Sequence, residues 1–516
     1  MSALVLAAAF AFFLGGASPA LAPRDAGDMA AAAFTLGVAH PPGYPLYAVV
    51  GRAWLAVMPL GNPAYRLAVL SCLAGAFAVM FVFMSVRRRS GPYGALASAA
   101  ALAFSFPLWK FALIQEKYSL HALFLAVLLF LSEGPDEDAV RRCRLSAFLF
   151  GLGLVNHQSL VLWLPSWLWL WRGHRRPLVG SWPWLFAGLT PYLFVAVRLG
   201  SLSEALAVVL RAQYGSATLS SSLAGPLTPG RAFALAAWSL KAAAESVSWP
   251  CAAVAAAGAV LAWRRDRARA AALLLGAALT GPLFAVLSRF DASSWVARSV
   301  LEPSLLVPAL TAAAFAGEAV AALGPRAPAA AAALAACALF VRATPAPERR
   351  DDFLALDYAR NLRRAVPPGS ALLAGGDTAL FGLRWLDLTE PRAAREVAGA
   401  GLVDAAGWLA ARPGAFVSGL PPETLAAAGF GAKGKPIAPE GLVARTGARP
   451  GAWGPPVVLR RSASWARDES YARDAKLAYA FAAWSTARLL EAQGSAAPDA
   501  LDLAAAAFDP EDYRLE

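Results

Sequence analysis

Two carboxylates three residues apart, Asp25 and Asp28, follow the first apolar run with only the small Ala26 and Gly27 between them. That spacing can aim both acids into one cavity, as a general base, a metal ligand or an acceptor for hydroxyl protons; it also suits a solvated loop with ordinary charges. Shortly after comes His40-Pro-Pro-Gly-Tyr-Pro-Leu-Tyr47, where three prolines and a glycine fall within six residues. Such a run rules out helix and predicts a rigid turn. It could be an elbow that sends the chain back into a bilayer. Alternatively, it could present His40, Tyr44 and Tyr47 to a polar substrate at a membrane interface, where Tyr is also a common anchor.

Glu116-Lys117-Tyr118 and His121 interrupt an otherwise apolar run. Ionisable groups inside a membrane span are costly, so they line a cavity, pair with one another or snorkel. As consecutive helical positions Glu116 and Lys117 diverge by about 100°, so at least one must look elsewhere. Asn156-His157-Gln158 separates two apolar halves, either as a polar helix break or as a cavity lining. Arg289 and Arg298 flank the short stretch Phe290-Asp-Ala-Ser-Ser-Trp295. A guanidinium there suits a phosphate, because its planar fork donates two parallel hydrogen bonds, and it suits a plain juxtamembrane anchor equally. No Walker loop, zinc-type spacing or nucleophile elbow occurs. Gly151-Leu-Gly153 lies inside an apolar run and reads as close helix packing rather than a nucleotide loop.

These residues sit in a chain of 516 residues that is 58% hydrophobic and only 16% charged. A soluble chain carries about a quarter charged residues. Here the charges are sparse until the last third, which predicts a membrane domain followed by a water-soluble one. The net charge of +12 resides in short Arg clusters between apolar runs, the pattern of cytoplasmic loops rather than of a nucleic-acid surface. Cys72, Cys143, Cys251 and Cys337 lie in or beside apolar runs and read as small core residues.

Spans are expected at Ser2–Ala22, Tyr65–Val86, Tyr93–Leu108, Phe111–Ser132, Leu145–Val155, Ser159–Trp171, Trp182–Val197, Trp249–Trp263, Ala270–Leu287, Val300–Leu323 and Ala329–Val341. The ending Ser18-Pro-Ala-Leu-Ala22 resembles a signal-peptidase site, but no basic segment precedes it, so a retained helix is the expectation. The short pair around Asn156-His157-Gln158 could also be one kinked span. Counted as two, it places Arg87–Arg89, Arg141–Arg144, Arg172–Arg176, Arg264–Arg269 and Arg326 on one side, the cytoplasmic one. About eleven spans then put the N-terminus inside and the C-terminal region outside. Arg231–Trp263 would be about 50 Å long as one helix at 1.5 Å per residue. A break near Pro250 is therefore expected, with Arg231–Ser248 lying along the outer surface.

Beyond Ala343 the pattern changes. Asp351–Val366 predicts an amphipathic helix, Pro367-Pro-Gly369 a turn, and Ala371–Ala374 and Ala415–Ser418 short strands. Ala-rich faces repeat through Asp474–Ala492 and Pro498–Phe508, faintly like a tetratricopeptide helix pair. The expected organisation is a transmembrane domain at 1–342, a small α/β extracytoplasmic domain at 343–464 and a helical C-terminal segment at 465–516.

Several of these stretches resemble a known family. Asp25-Ala-Gly-Asp28, Leu36–Tyr47, Gly61-Asn-Pro-Ala-Tyr-Arg66 and Leu70-Ser71 resemble the N-terminal signature of the transmembrane-protein-260-like family. Gln115–Leu120, Gly151–His157, Asp357-Tyr-Ala-Arg-Asn361 with Pro367-Pro-Gly369, and Gly376-Asp377 resemble its later motifs. That family is related to the protein O-mannosyltransferases of the GT-C glycosyltransferase superfamily. Its members more often carry Ser and Glu at the positions of Ala26 and Asp28, and bacterial members an aromatic where Ser follows Arg298. The resemblance implies a GT-C-like fold in a bacterial cell membrane. It also implies transfer of a sugar from a polyprenyl-phosphate donor to a protein or envelope-glycan hydroxyl on the extracytoplasmic side. Asp25 or Asp28 would then take the acceptor proton, and His40 and Tyr44 would shape the pocket. Glu116, Tyr118 and His157 would make polar contacts, and Arg289 or Arg298 would meet the phosphate; a divalent metal stays open. A transporter or flippase would instead show repeated halves, and a scaffold for the C-terminal region would show no cavity around the acids.

Overall fold

In a computed structural model of the chain, the residues described are 1–215, 224–343, 352–390, 395–400, 402–420, 422–430, 434–440, 442–447 and Tyr479. They form two compact units. One comprises Met1–Ala17 with Ala32–Pro347, and the other Ser18–Ala31 with Glu348–Glu516.

The first unit is all helical and opens with α1 (Ser2–Gly15), α2 (Ala26–Thr35, shared with the other unit), α3 (Pro45–Val57) and α4 (Pro63–Ala103). Asn62 caps α4 by accepting a hydrogen bond from the Tyr65 amide at 3.0 Å, and Pro63 occupies its first position, where no amide is needed. The two expected spans Tyr65–Val86 and Tyr93–Leu108 correspond to the two arms of this element, which are separate helices joined across a kink at Gly91. Gly91 adopts a left-handed φ of 68° just before Pro92. Conversely, the expected span Phe111–Ser132 is split into α5 (Phe106–Ala112) and α6 (Tyr118–Ser132). A further helix, α7 (Ala139–Asn156), ends where His157 turns extended.

Among the described residues four helices are long and apolar enough to cross a membrane: Pro63–Ala103, Arg267–Ser288, Ala297–Ala321 and Gly324–Arg342. Three bent pairs raise this to seven if each pair is one span. One of them, Pro229–Ser246 with Trp249–Arg265, bends by 103°, so the break expected near Pro250 falls at Val247-Ser248. Pro250 sits in the first turn of the second helix, where its ring fits.

The Arg clusters converge. Arg89 pairs with Asp266 at 2.9 Å, while Arg269, itself buried, pairs with Glu133 and lies 3.4 Å from Glu318. Arg142 stands over the Trp171 ring, and His174 reaches Asp136 at 3.3 Å. One charged end of the helical unit therefore gathers residues that the sequence scatters from 89 to 318. Close helix packing at Gly151 also holds. A Cβ at Gly151 would lie 2.2 Å from the Leu185 carbonyl oxygen, and one at Gly188 would lie 2.2 Å from that of Phe148.

The second unit contains a five-stranded sheet in the order β2-β1-β3-β5-β4. Its strands are β1 (Ala371–Ala374), β2 (Glu396–Gly399), β3 (Phe416–Ser418), β4 (Ile437–Glu440) and β5 (Val443–Thr446). β1 runs parallel to both β2 and β3, and the β4–β5 hairpin joins antiparallel to β3. Alternation along each strand feeds two apolar clusters. Leu372, Ala374, Phe416 and Val443 pack with Tyr358, Leu362, Leu380 and Leu383, whereas Leu373, Val417 and Ala444 pack with Leu409, Leu420 and Ile437. The expected helix is present as Leu354–Ala365, and Gly369 makes the expected turn. Asn361 donates to the Tyr479 hydroxyl at 2.9 Å, and burial pushes the Tyr358 phenol up to about 12 against a hydrogen bond with Ser418. The expected helices from 465 onward lie outside the described residues, Tyr479 apart.

Candidate functional site

The helical unit holds a buried polar cluster at the break between α5 and α6. Residues 113–117 are not helical there, so their backbone groups need other partners. Ser71 donates its hydroxyl to the Glu116 carbonyl at 3.4 Å, and Asn156 donates to that of Lys117 at 3.1 Å. Gln115 ties the break to α4 by donating to the Ala64 carbonyl at 2.9 Å. Freed from helical geometry, Glu116 and Lys117 form an ion pair with each other at 3.0 Å, both essentially fully buried. The expectation that adjacent positions force them apart is corrected by this break, because the 100° divergence applies only within a helix.

Aromatic rings surround the ammonium. Lys117 Nζ lies 4.8 Å from the Tyr44 ring centroid and 4.6 Å from that of Tyr118, within cation–π range. Tyr44 is placed by the proline elbow. Gly43 has a φ of 93°, Tyr44 itself is left-handed, and α3 begins at Pro45, so the last residues of His40–Tyr47 are helical rather than part of the turn. The Tyr44 ring stacks on His157 at 6.1 Å and meets His40 edge-on at 5.1 Å. His157 also meets Tyr118 at 5.3 Å and His121 at 5.2 Å, and its Nδ1 is 2.6 Å from the Ser159 hydroxyl. Lys117 and Arg211 both act electrostatically on His157.

Of the residues singled out in the sequence, His40, Tyr44, Glu116, Tyr118, His121 and His157 are therefore brought together. Asn156 and Gln158 serve the scaffold instead: Gln158 donates to the Val209 carbonyl at 2.7 Å. Arg211, missed in the sequence, is part-buried with a left-handed φ of 56°, and its guanidinium stands over the Tyr214 ring at 5.4 Å. Arg298 spends its guanidinium on its own loop, donating to the carbonyls of Ala292 and Ser293. Arg289 is exposed, and its carbonyl accepts from the Gly225 amide at 3.0 Å. No hydrogen bond, ion pair or ring contact among the described residues joins either Arg to the ring cluster.

The cluster has chemistry to spare. Among the described residues, Tyr47 Oη, His121 Nδ1 and Asn156 Oδ1 are buried without a hydrogen-bond partner. Buried polar atoms are rarely left so, and polar groups of a bound molecule would satisfy them. No group of three His, Cys, Asp or Glu side chains that could hold a metal occurs among the described residues.

Asp25 and Asp28 belong to the other unit. The Asp25 carbonyl accepts the first α2 hydrogen bond, from the Met29 amide at 2.8 Å, and Asp28 lies in the first turn. Three-residue spacing puts both on one helix face, and the helix N-terminus favours their charge. Ala26, Met29 and Ala30 are fully buried, while both acids keep partial exposure.

Residues 25–177 match the family described as Protein O-mannosyl-transferase TMEM260 N-terminal domain. Protein O-mannosyl-transferase TMEM260 of Mus musculus is 36% identical over 146 residues, 27% of this chain and 21% of the mouse protein. Its namesake in Dictyostelium discoideum is 29% identical over 161 residues, 28% of this chain and 20% of that protein. The chain thus spans about a fifth of the length of these curated relatives. ArnT from Cupriavidus metallidurans in the apo state superimposes with a TM-score of 0.55 at 15% identity, over 86% of this chain and 97% of ArnT. ArnT bound to undecaprenyl phosphate gives 0.53 at 15% identity, over 87% and 97%. The chain has a helical, ArnT-like fold with several candidate membrane helices.

Proposed function

We propose that this protein is a membrane glycosyltransferase that moves a sugar, mannose being the first candidate, from a polyprenyl-phosphate donor to an acceptor hydroxyl. The observation that carries the reading is the content of residues 25–177. The stretch matched to the O-mannosyl-transferase family contains both acids and nearly all of the buried polar cluster. The fold is that of a protein solved with undecaprenyl phosphate.

In the proposed reaction the acceptor oxygen attacks the anomeric carbon while its proton passes to Asp25 or Asp28. The bond from that carbon to the phosphate oxygen breaks, and the electron pair leaves with the lipid phosphate. Lys117 and Arg211 supply positive charge for that phosphate, whereas Arg298 donates within its own loop to Ala292 and Ser293, away from the ring cluster's contacts. Tyr44, Tyr118, His40, His121 and His157 provide a ring-lined bed for the sugar, and Glu116 holds Lys117 in place. A protein Ser or Thr hydroxyl is the acceptor on this reading. The chain crosses the cell membrane about eleven times, with the N-terminus and Arg clusters in the cytoplasm. The sheet-bearing unit, a small α/β domain, lies outside, where Asp25 and Asp28 meet the acceptor.

The test uses purified full-length protein, radiolabelled polyprenyl-phosphate mannose and a Ser/Thr-rich peptide. Removing a general base costs about 10²–10⁴-fold, so one of Asp25→Asn and Asp28→Asn should fall that far in kcat. Arg211→Ala should mainly raise the donor KM, and Arg298→Ala should change little. Full transfer by the Asp25→Asn/Asp28→Asn double variant would end the assignment.

A further inference from the structure

The segment bearing the two acids is set between apolar stretches of the helical unit, yet it clusters with the sheet-bearing unit. Two contacts show how it is held. Arg24 adopts a φ of 61°, a conformation non-glycine residues rarely take, and its amide donates to Thr378 Oγ1 at 3.2 Å. One helical turn further along the same partner, Gly27 lies against the backbone of Phe381. A Cβ at Gly27 would stand 2.8 Å from the Phe381 carbonyl oxygen and 2.9 Å from its carbonyl carbon, too close for any side chain.

Thr378 and Phe381 belong to the first turns of the helix Asp377–Thr389, which follows β1. That helix is itself immobilised, since Ala379, Leu380, Phe381 and Leu383 are buried in the cluster that includes Leu372 and Ala374 of β1. Gly27 sits between Asp25 and Asp28, so whatever fixes Gly27 fixes both acids. Ala would be the better helix former at this position; the close approach to Phe381 explains why Gly stands there.

We infer that the sheet-bearing unit is a positioning element for the acidic pair: Thr378 and the Phe381 carbonyl, with Gly27 as the notch that receives it, set the height and rotation of the first turn of α2. This rests on the reading of Asp25 and Asp28 as the base. None of Gly27, Thr378 and Phe381 needs to touch a reactant, so they are positioning residues. A misplacement of about 1 Å at a reacting centre can cost about 10²-fold in rate, and the Cβ of Gly27→Ala forces a shift of that order.

The experiment takes the full-length protein in nanodiscs and reads two quantities. Hydrogen–deuterium exchange of peptides covering 18–31 reports docking without any substrate. Steady-state transfer from polyprenyl-phosphate mannose to a Ser/Thr peptide reports placement. Gly27→Ala and Thr378→Val should both speed exchange in 18–31 and lower kcat by about tenfold or more, with the donor KM unchanged; Thr378→Ser, which keeps the acceptor oxygen, should behave as wild type in both. Unchanged exchange in both damaging variants would overturn the docking. Faster exchange with an unchanged kcat, or with a change in donor KM alone, would overturn the positioning role and leave the glycosyltransferase reading standing. If the wild type transfers no mannose, that reading fails, and the exchange data still decide whether the segment is held by Thr378 and Phe381.

Discussion

Breaking the Glu116–Lys117 pair gives the clearest test of the buried cluster, because the structure assigns different costs to its two halves. Both side chains are almost completely buried, 3.0 Å apart. Lys117→Met removes the cation paired with the buried Glu116 carboxylate, and removing one partner of a buried pair costs about 3–5 kcal/mol. Glu116→Gln takes the paired charge from Lys117 instead, but the Tyr44 and Tyr118 faces remain at 4.8 and 4.6 Å. A desolvated cation–π contact contributes about 2 kcal/mol, so this variant should be the less damaged. The double variant Glu116→Gln/Lys117→Met buries no charge, and replacing a whole buried pair by neutral groups is often close to neutral. The expected order of thermal stability in one detergent is therefore double variant near wild type, then Glu116→Gln, then Lys117→Met. Transfer should follow a different order, with the double variant stable yet impaired because the donor phosphate has lost Lys117. Wild-type stability of Lys117→Met would refute the buried pairing. Full activity of the double variant would refute the role given to Lys117.

Two further predictions concern the scaffold. Gly151→Val should lower the melting temperature by pushing α7 away from the helix Trp182–Leu189, since even a Cβ would meet the Leu185 carbonyl oxygen at 2.2 Å; overpacking of this kind costs about 1–3 kcal/mol, read by thermal denaturation in detergent. Arg269→Met should leave Glu133 without its buried cation, a loss of about 3–5 kcal/mol, while Glu318 keeps Arg265 at 3.4 Å and Arg89 at 3.8 Å. Adding Glu133→Gln should recover part of it in the same assay.

Much of the architecture was legible because the relevant rules are local. The membrane class follows from apolar runs, the break near Pro250 from helix length, and the strand Ala371–Ala374 from its turn signals on either side. The proline elbow was readable too, although its end was not: Pro45 is both a turn residue and a good first residue of a helix, and its sequence neighbours do not choose between them. Likewise Phe111–Ser132 reads as one span, because the polar interruption at Glu116-Lys117 can also belong to a continuous helix, and only the fold shows a break whose backbone groups are satisfied by Ser71 and Asn156.

The sequence by itself therefore determined the membrane-embedded helical body, the charged end built from Arg clusters, and a short list that included His40, Tyr44, Glu116, Tyr118 and His157. Tertiary structure decided how those residues are used. It pairs Glu116 with Lys117, sets His121 against His157, brings Arg211 near enough to act on His157 electrostatically, commits Arg298 to its own loop, and assigns the Asp25–Asp28 segment to the unit that contains Thr378 and Phe381. The physical reason is range. Transfer free energy, helical period and φ restrictions act over a few neighbouring residues, whereas a charge or hydroxyl finds its partner through a fold that joins positions more than 350 residues apart, as the Arg24–Thr378 hydrogen bond does with a separation of 354.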